Sequence, residues 1–292
     1  MTNRKRKRGW HFRKEFVAGC IIIVLLTIAI FVASAFKTAQ RKQTKTPAPL
    51  DNIASHTEEE KTTLPPQTVP VASIANPTVS DDDKVIYLTF DDGPTANTKN
   101  ILDVLDRYGI KATFFVIHTY DGCEAQIKEI YDRGQQLALH SYTHDYSIYR
   151  SMDTYFDDLN KISDLVYNAT GYRSMLVRFP GGTSNTISRD YCDGIMSALA
   201  EELPRRGYQY FDWDWDSTDA SGNRRDVDVI VDNATDAIDY GDNHVILLMH
   251  DAAAKTTTVE ALPQIIEAYR DAGYRFDVLS LTSYTYHHNP NN

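Results

Sequence analysis

The stretch YLTFDDGPTAN, residues 87–97, decides the fold. A short apolar segment runs directly into two adjacent acids, Asp91 and Asp92, and the chain then breaks at Gly93 and Pro94. Apolar runs bounded by turn residues are typical of buried strands. One interpretation is that the two acids cap the helix that follows. The other is that one acid binds a cation while its neighbour stays free as a base, because adjacent residues at a strand end point in different directions.

Similar apolar segments recur along the chain and alternate with stretches of helical periodicity. The seven predicted strands are residues 85–90, 112–117, 136–140, 175–179, 208–213, 244–250 and 274–279. Helical periodicity is clearest in residues 98–109 and 153–171, and each of these stretches ends on a glycine. Strands that are apolar on both faces and joined by helices predict an α/β fold with a parallel sheet, either open or closed as a barrel.

Chemically active side chains follow the predicted strands at their C-terminal ends. In chain order they are Asp91 and Asp92, His118, His140 and His144, Arg178 and Pro180, Asp212–Asp219 with Trp213 and Trp215, and His250 and Asp251. Sites in both parallel architectures form where these strand ends meet. We therefore expect the acids and imidazoles to lie together at one rim of the sheet, the edge formed by the C-terminal ends of its strands.

The segment HSYTH places His140 and His144 four residues apart. On a helical turn this spacing puts both imidazoles on one face, where they can bind one cation; the alternative is two ordinary polar histidines. Two histidines and one carboxylate form a ligand set for a catalytic divalent ion with an open coordination position. Zn²⁺ suits this set, and Co²⁺ or another first-row ion also fits it.

Five segments resemble, in the same order, the five motifs of the NodB-type polysaccharide deacetylases, the fourth carbohydrate esterase family. They are TFDDGP (89–94), HSYTH (140–144), RFPGG (178–182), WDWDSTDA (213–220) and LLMH (247–250). The resemblance covers roughly residues 85–280, within a predicted domain of residues 84–282, and implies a distorted (β/α)7-type barrel. It also implies metal-dependent hydrolysis of N-acetyl, or in some members O-acetyl, groups on a polysaccharide such as peptidoglycan or a chitin-like glycan.

The resemblance assigns the principal roles at the predicted rim. Asp91 resembles the general base, and His250, in the motif that Leu248 begins, resembles the general acid. The residues that resemble the metal ligands are Asp92, His140 and His144. The two acids of the opening stretch would then have different functions.

Two further segments have supporting roles by the same resemblance. Arg178 is expected to pair with Asp91 and to keep it ionised and oriented. The loop that contains Pro180 and Gly181 is expected to border the acetyl group, where the Gly181 N–H can donate a hydrogen bond to the oxyanion.

The fourth motif supplies aromatic and acidic candidates. Trp213 and Trp215 are expected either to stack on a sugar ring or to belong to the core. An acid of the same motif, Asp216 or Asp219, is expected to orient His250, and Asp216 is the preferred choice.

The chain departs from the family pattern at two positions. Many members carry an aromatic residue where this chain has Gly181 and a tryptophan where it has Ala220. We therefore expect a wider or differently lined sugar groove, which keeps open an O-acetyl esterase acting on xylan or an exopolysaccharide. A third possibility is a catalytically silent glycan-binding wall protein, although none of the predicted ligands, base or acid is missing.

The N-terminal part has the pattern of a membrane anchor. Residues 17–36 form an uncharged apolar run long enough to cross a hydrocarbon core, and residues 1–16 carry seven basic residues and one acid. The positive-inside rule predicts a cytoplasmic N-terminus and an extracytoplasmic domain bound to the lipid bilayer by one helix. A cleaved signal peptide is the alternative. Residues 37–83 are rich in Pro and Thr and read as a flexible linker, and residues 283–292 as a C-terminal tail.

The net charge indicates which class of binding partner to expect, and the cysteine content bears on disulfides. The chain has a formal net charge of −10, and the basic residues of the N-terminal segment conceal a more acidic remainder. Such an acidic exported part is a poor match for nucleic acid, so we expect an acetylated cell-wall or extracellular polysaccharide instead. Cys123 and Cys192 lie outside the apolar segment, and the sequence alone predicts no disulfide between them.

Overall fold

The computed structural model describes residue 80 and residues 82–292. In chain order the helices and strands are β1 (Val85–Gly93), α1 (Ala96–Tyr108), β2 (Thr113–Val116), α2 (Glu124–Asp132), β3 (Gln136–Leu139), α3 (Met152–Thr170), β4 (Leu176–Val177), α4 (Ile195–Arg205), β5 (Gln209–Tyr210), β6 (Trp215–Asp216), α5 (Val227–Tyr240), β7 (His244–His250), α6 (Thr256–Asp271) and β8 (Arg275–Asp277). Short 3₁₀ helices cover Tyr146–Arg150, Ile187–Asp190 and Asp219–Ser221.

The predicted basic tail (1–16), apolar span (17–36) and nearly all of the linker (37–83) lie outside the described residues. Among the residues that are described, no helix is both long enough and apolar enough to cross a membrane. Cys123 and Cys192 both have free thiols.

The strands form an α/β half-barrel in the order β5-β4-β3-β2-β1-β7-β6, with β8 paired to β1 outside this path. Every pairing is parallel, as the strand and helix alternation predicts. Along one edge β1 pairs with β7 over Val85–Asp91, and β8 and β2 share the other edge. All seven predicted strands are present, and β6 is an additional short strand inside the fourth motif.

The N-terminus of helix α1 shows whether Asp91 and Asp92 act as its caps. Its N-cap is Thr95, whose hydroxyl accepts a hydrogen bond from Asn97 N–H, while Thr98 Oγ1 accepts one from Thr95 N–H. This reciprocal arrangement is a capping box, and it satisfies the free N–H groups that begin a helix. Asp91 and Asp92 are therefore not needed as caps.

The side chains of strand β1 alternate between the two faces of the sheet. The outer face, from Ile86 to Phe90, belongs to the core beneath the helices. Tyr87 packs in a second, inner cluster with the interior residues of the neighbouring strands. Continuing the same alternation, Thr89 and Asp91 also face the interior, and both are almost completely buried.

The strand ends beside β1 follow the same alternation. Leu176 belongs to the inner cluster and Val177 to the outer core, so Arg178, the next residue, faces the interior. In β7 the inner residue Ile246 is followed two and four positions later by Leu248 and His250. Because Asp91 and His250 are partners in the β1–β7 register, the fold places an acid and an imidazole side by side.

Candidate active site

A buried ion pair lies at the centre of the rim. Arg178 Nη1 lies 2.9 Å from Asp91 Oδ1, and the arginine has no exposed surface. Burial raises the pKa of Asp91 above its ordinary value, and the charge of Arg178 acts against that rise. The predicted pairing is confirmed as a contact, and the raised pKa makes Asp91 a stronger base than an exposed aspartate.

The guanidinium of Arg178 makes three further hydrogen bonds. Nη1 also bonds Thr89 Oγ1 at 2.8 Å, Nε bonds the Phe211 carbonyl at 3.2 Å, and Nη2 bonds the Asp212 carbonyl at 3.0 Å. The guanidinium lies 4.1 Å from the ring centroid of Phe115. These contacts fix the orientation of the guanidinium and, through it, that of the Asp91 carboxylate.

Asp92, His140 and His144 form a separate cluster whose potential ligand atoms all lie within 4.8 Å of one another. Asp92 Oδ1 lies 3.1 Å from His144 Nε2 and 3.6 Å from His140 Nε2. This oxygen is buried and has no hydrogen-bond partner among the described residues. A buried carboxylate oxygen without a partner, facing two imidazole nitrogens, fits a divalent cation held by two histidines and one aspartate.

The backbone turns between the two acids. Asp92 has φ 74°, in the left-handed region, and therefore leaves the regular alternation of β1. Non-glycine residues in that region are uncommon and concentrate at functional sites. As a result Asp91 faces Arg178 while Asp92 faces the histidines.

A hydrogen bond sets the tautomer of His140. Its Nδ1 lies 2.8 Å from the Arg178 carbonyl, which is an acceptor only, so Nδ1 is the protonated nitrogen and Nε2 is free to bind a cation. Burial is the main reason that the pKa of His140 falls to about 3, and the imidazole is neutral at ordinary pH. A neutral imidazole is the form that binds metal ions.

The predicted helical turn between His140 and His144 is wrong. Residues 140–145 have no helical structure, and His144 has φ 52°. Buried Asp158 of α3 holds the turn by accepting bonds from Tyr142 N–H and from Thr143 N–H and Oγ1. The two imidazoles therefore meet through a loop that a distant carboxylate organises.

The acid that contacts His250 is Asp219, and the preference for Asp216 is wrong. Asp219 Oδ1 lies 2.7 Å from His250 Nδ1, and its Oδ2 accepts bonds from His250 N–H and Thr258 Oγ1, both at 2.8 Å. Asp216 pairs in register with Leu248, two residues before His250, and accepts instead from Thr218 N–H. The chain then turns and brings Asp219 level with the imidazole.

Asp219 also controls the charge of His250. Burial lowers the pKa of His250, but the hydrogen bond and charge of Asp219, with the charges of Asp91 and Asp92, outweigh it and raise the pKa to about 9. His250 is consequently protonated at neutral pH. A protonated imidazole beside a carboxylate is a suitable proton donor.

The loop after Arg178 contains Pro180 and Gly181, the residues expected to border the acetyl group. The Pro180 carbonyl accepts a hydrogen bond from Tyr149 Oη at 2.9 Å, and Gly181 is exposed with φ 77°. Within the described part of the chain, the Gly181 N–H has no acceptor, so it is available to a ligand.

The two tryptophans have different surroundings. Trp213 lies beside the Pro180–Gly182 loop, and its ring centroid is 5.7 Å from the Arg178 guanidinium. Trp215 instead donates to Asp242 and packs on Tyr240, next to the start of β7 and away from the rim. Of the two places expected for Trp215, the structure shows the one against the core, because its alternate position in β6 directs it outward. Leu248 is buried on the inner face below His250.

The sequence places Asp212 at a strand end, but it does not reveal that this residue joins the loop to the C-terminal tail. Asp212 is fully buried and accepts bonds from Thr183 N–H and His288 N–H, while its own N–H donates to the Tyr286 carbonyl. The tail, residues 283–292, thus supports the Pro180–Gly182 loop through one carboxylate. The sequence signal for a buried, bonded carboxylate was the position of Asp212 inside the apolar strand segment 208–213.

Comparison with known proteins adds independent information. Residues 78–193 match the polysaccharide deacetylase family. The crystal structure of the catalytic domain of a peptidoglycan N-acetylglucosamine deacetylase from Eubacterium rectale is similar, with 41% identity, a TM-score of 0.70, and coverage of 74% of this chain and 97% of that one.

Two curated relatives extend the comparison. YheN of Bacillus subtilis is 31% identical over 209 residues, which is 70% of each chain. A bifunctional xylanase/deacetylase of Pseudobutyrivibrio xylanivorans is 33% identical over 211 residues, which is 70% of this chain but 31% of that longer protein.

The Asp219 contact predicts how the pKa of His250 responds to mutation. Asp219→Asn removes the negative charge that outweighs burial, so the pKa of His250 should fall from about 9 by roughly one unit or more. The measurement is an NMR pH titration of the His250 ring in the purified protein. Asp216→Asn is the matched control and should shift this pKa less. An equal or larger shift in the control would contradict the assignment.

Proposed function

The chain belongs to the polysaccharide deacetylase family, and we propose that it hydrolyses N-acetyl groups on N-acetylglucosamine units of a cell-wall glycan such as peptidoglycan. The observation that carries this proposal is the meeting of three groups at one rim: the Asp91–Arg178 pair, the Asp92 cluster and the protonated His250. The similarity to a peptidoglycan N-acetylglucosamine deacetylase at 41% identity supports the choice of substrate.

The proposal includes one divalent cation, for which Zn²⁺ is the best fit. Asp92, His140 and His144 would hold it, since they supply one carboxylate and two imidazoles. When bound, such an ion lowers the pKa of a coordinated water and polarises a carbonyl oxygen. The hydrogen bond from His140 Nδ1 to the Arg178 carbonyl keeps one of the ligands in the binding tautomer.

Protein groups would handle the protons. Asp91 takes a proton from the attacking water, and its raised pKa and fixed orientation suit it to that role. The Gly181 N–H donates to the oxyanion that forms when the water adds to the acetyl carbon. His250 then protonates the amide nitrogen, the C–N bond breaks, and acetate and a free amine are released.

An O-acetyl esterase is the second candidate. Neither Gly181 nor Ala220 carries the large side chain with which many family members line the groove, and both residues are exposed. The relative named as a xylanase/deacetylase supports an acetylated xylan as the corresponding substrate. An ester has a better leaving group than an amide, so this reaction would depend less on His250.

We also propose that residues 17–36 anchor the protein in the cell membrane, with residues 1–16 in the cytoplasm and the catalytic domain outside. The uncharged apolar run and the basic residues before it support this location. Residues 37–83 would give the domain reach toward the glycan.

The test of the activity is acetate release by the zinc-loaded protein from chitin oligomers, peptidoglycan and acetylated xylan. We expect the highest kcat/KM on an N-acetylated glycan. His250→Gln should lower kcat on the amide by roughly 10²–10⁴-fold. The same variant should lose much less on an aryl acetate, whose leaving group needs no proton. Equal losses on both substrates would contradict the acid role, and no acetate from any glycan would contradict the activity.

The test of the anchor is cell fractionation combined with protease accessibility. The full-length protein should remain with the membrane after a high-salt wash, and protease added to spheroplasts should remove the catalytic domain. A variant lacking residues 17–36 should no longer fractionate with the membrane. Recovery of the full-length protein in the soluble fraction at reduced mass would instead indicate a cleaved signal peptide.

A further inference from the structure

A tyrosine from another loop occupies the space in front of Gly181. A β-carbon at position 181 would lie 2.5 Å from Tyr146 Oη and 3.2 Å from Tyr146 Cε1. The side chain that is absent at this position is therefore replaced in space by the end of the Tyr146 ring. A larger residue at 181 and a tyrosine at 146 exclude each other in this arrangement.

Several contacts hold Tyr146 in this place. It begins the 3₁₀ helix Tyr146–Arg150, which Asp145 caps by accepting a hydrogen bond from Ser147 N–H. Its ring centroid lies 5.9 Å from that of buried Tyr149 and 6.4 Å from that of His144. The ring thus lies between the predicted cation ligands on one side and the Gly181 loop on the other.

The hydroxyl of Tyr146 is available to a ligand. It has no hydrogen-bond partner in the part of the chain that the structure describes, whereas the neighbouring Tyr149 hydroxyl bonds the Pro180 carbonyl. The Gly181 N–H beside it is also without an acceptor. Two donors that lack protein acceptors and lie at the same edge of a half-buried site are suited to one acceptor oxygen of a ligand.

We propose that Tyr146 is a substrate-binding residue, whose ring forms the pocket wall missing at position 181 and whose hydroxyl donates a hydrogen bond to the acetyl oxygen beside the Gly181 N–H. This inference rests on the proposed function and adds a residue to it. The sequence conceals this role, because Tyr146 lies outside the five motifs and reaches Gly181 only in the folded chain.

The first test compares wild-type protein with Tyr146→Phe, which keeps the ring and removes the hydroxyl. Losing one oxyanion donor should lower kcat for the N-acetylated substrate by roughly 10²- to 10³-fold, with KM within about threefold. Zinc stoichiometry should stay unchanged. Tyr131→Phe, on α2 and away from the rim, is the matched control and should retain wild-type kcat.

The second test measures binding without turnover, with acetate as the probe. Acetate carries the carbonyl oxygen that the two donors would contact, so its Kd for the zinc-loaded protein should rise several-fold in Tyr146→Phe. Calorimetry on the full-length protein in detergent gives this value directly. The Tyr131→Phe control should bind acetate like the wild type.

The outcomes separate this inference from the proposed function. If the wild type releases acetate and Tyr146→Phe matches it within twofold in both kcat and acetate affinity, the role of Tyr146 is overturned and the proposed function stands. If the wild type releases no acetate, the proposed function fails, and acetate affinity alone decides on Tyr146. Equal affinities would then overturn it, and a several-fold weaker affinity in the variant would support it.

Discussion

The buried ion pair of Arg178 and Asp91 is the interaction on which the rest of the site depends. A buried guanidinium needs acceptors for its donors, and here four hydrogen bonds to β1 and to residues 211–212 supply them. The Arg178 carbonyl also bonds His140. Arg178 therefore contacts the proposed base Asp91, the proposed ligand His140 and the backbone of residues 211–212. Removing one partner of such a pair typically costs about 3–5 kcal/mol, because the other charge stays buried.

The two neighbouring acids differ because of strand geometry. Asp91 continues the inner face of β1 and reaches the arginine, while the left-handed backbone at Asp92 directs the second carboxylate to the histidines. Gly93 is needed next, because a β-carbon there would lie 2.1 Å from the buried carboxylate of Asp251. The close packing after the two acids thus requires glycine at this position.

Much of the site could be predicted because it follows from periodicity and from the rule that parallel strands converge. Asp91, Asp92, His140 and His250 each stand at a strand end, and the sheet brings them together. What could not be predicted depends on local turns and long-range contacts. The choice of Asp219 over Asp216 follows from a turn after the two-residue strand β6.

Two other side-chain placements have similar causes. His140 and His144 resemble a helical pair in spacing, but Asp158, which holds their loop, is distant in sequence. Trp215 lies inside a recognisable motif, yet the alternation of a short strand turns it toward Tyr240. Motif membership predicts proximity to a site, whereas the direction of each side chain is set by the register of its strand.

The most direct test of this account is the metal content of Asp91→Asn and Asp92→Asn, measured by mass spectrometry on gel-filtered, zinc-loaded protein together with acetate release. We expect Asp91→Asn to retain about one zinc ion per chain, as the wild type should, and to lose turnover. Asp92→Asn should lose both the ion and the activity. Equal metal content in the two variants would contradict the separation of roles on which the account rests.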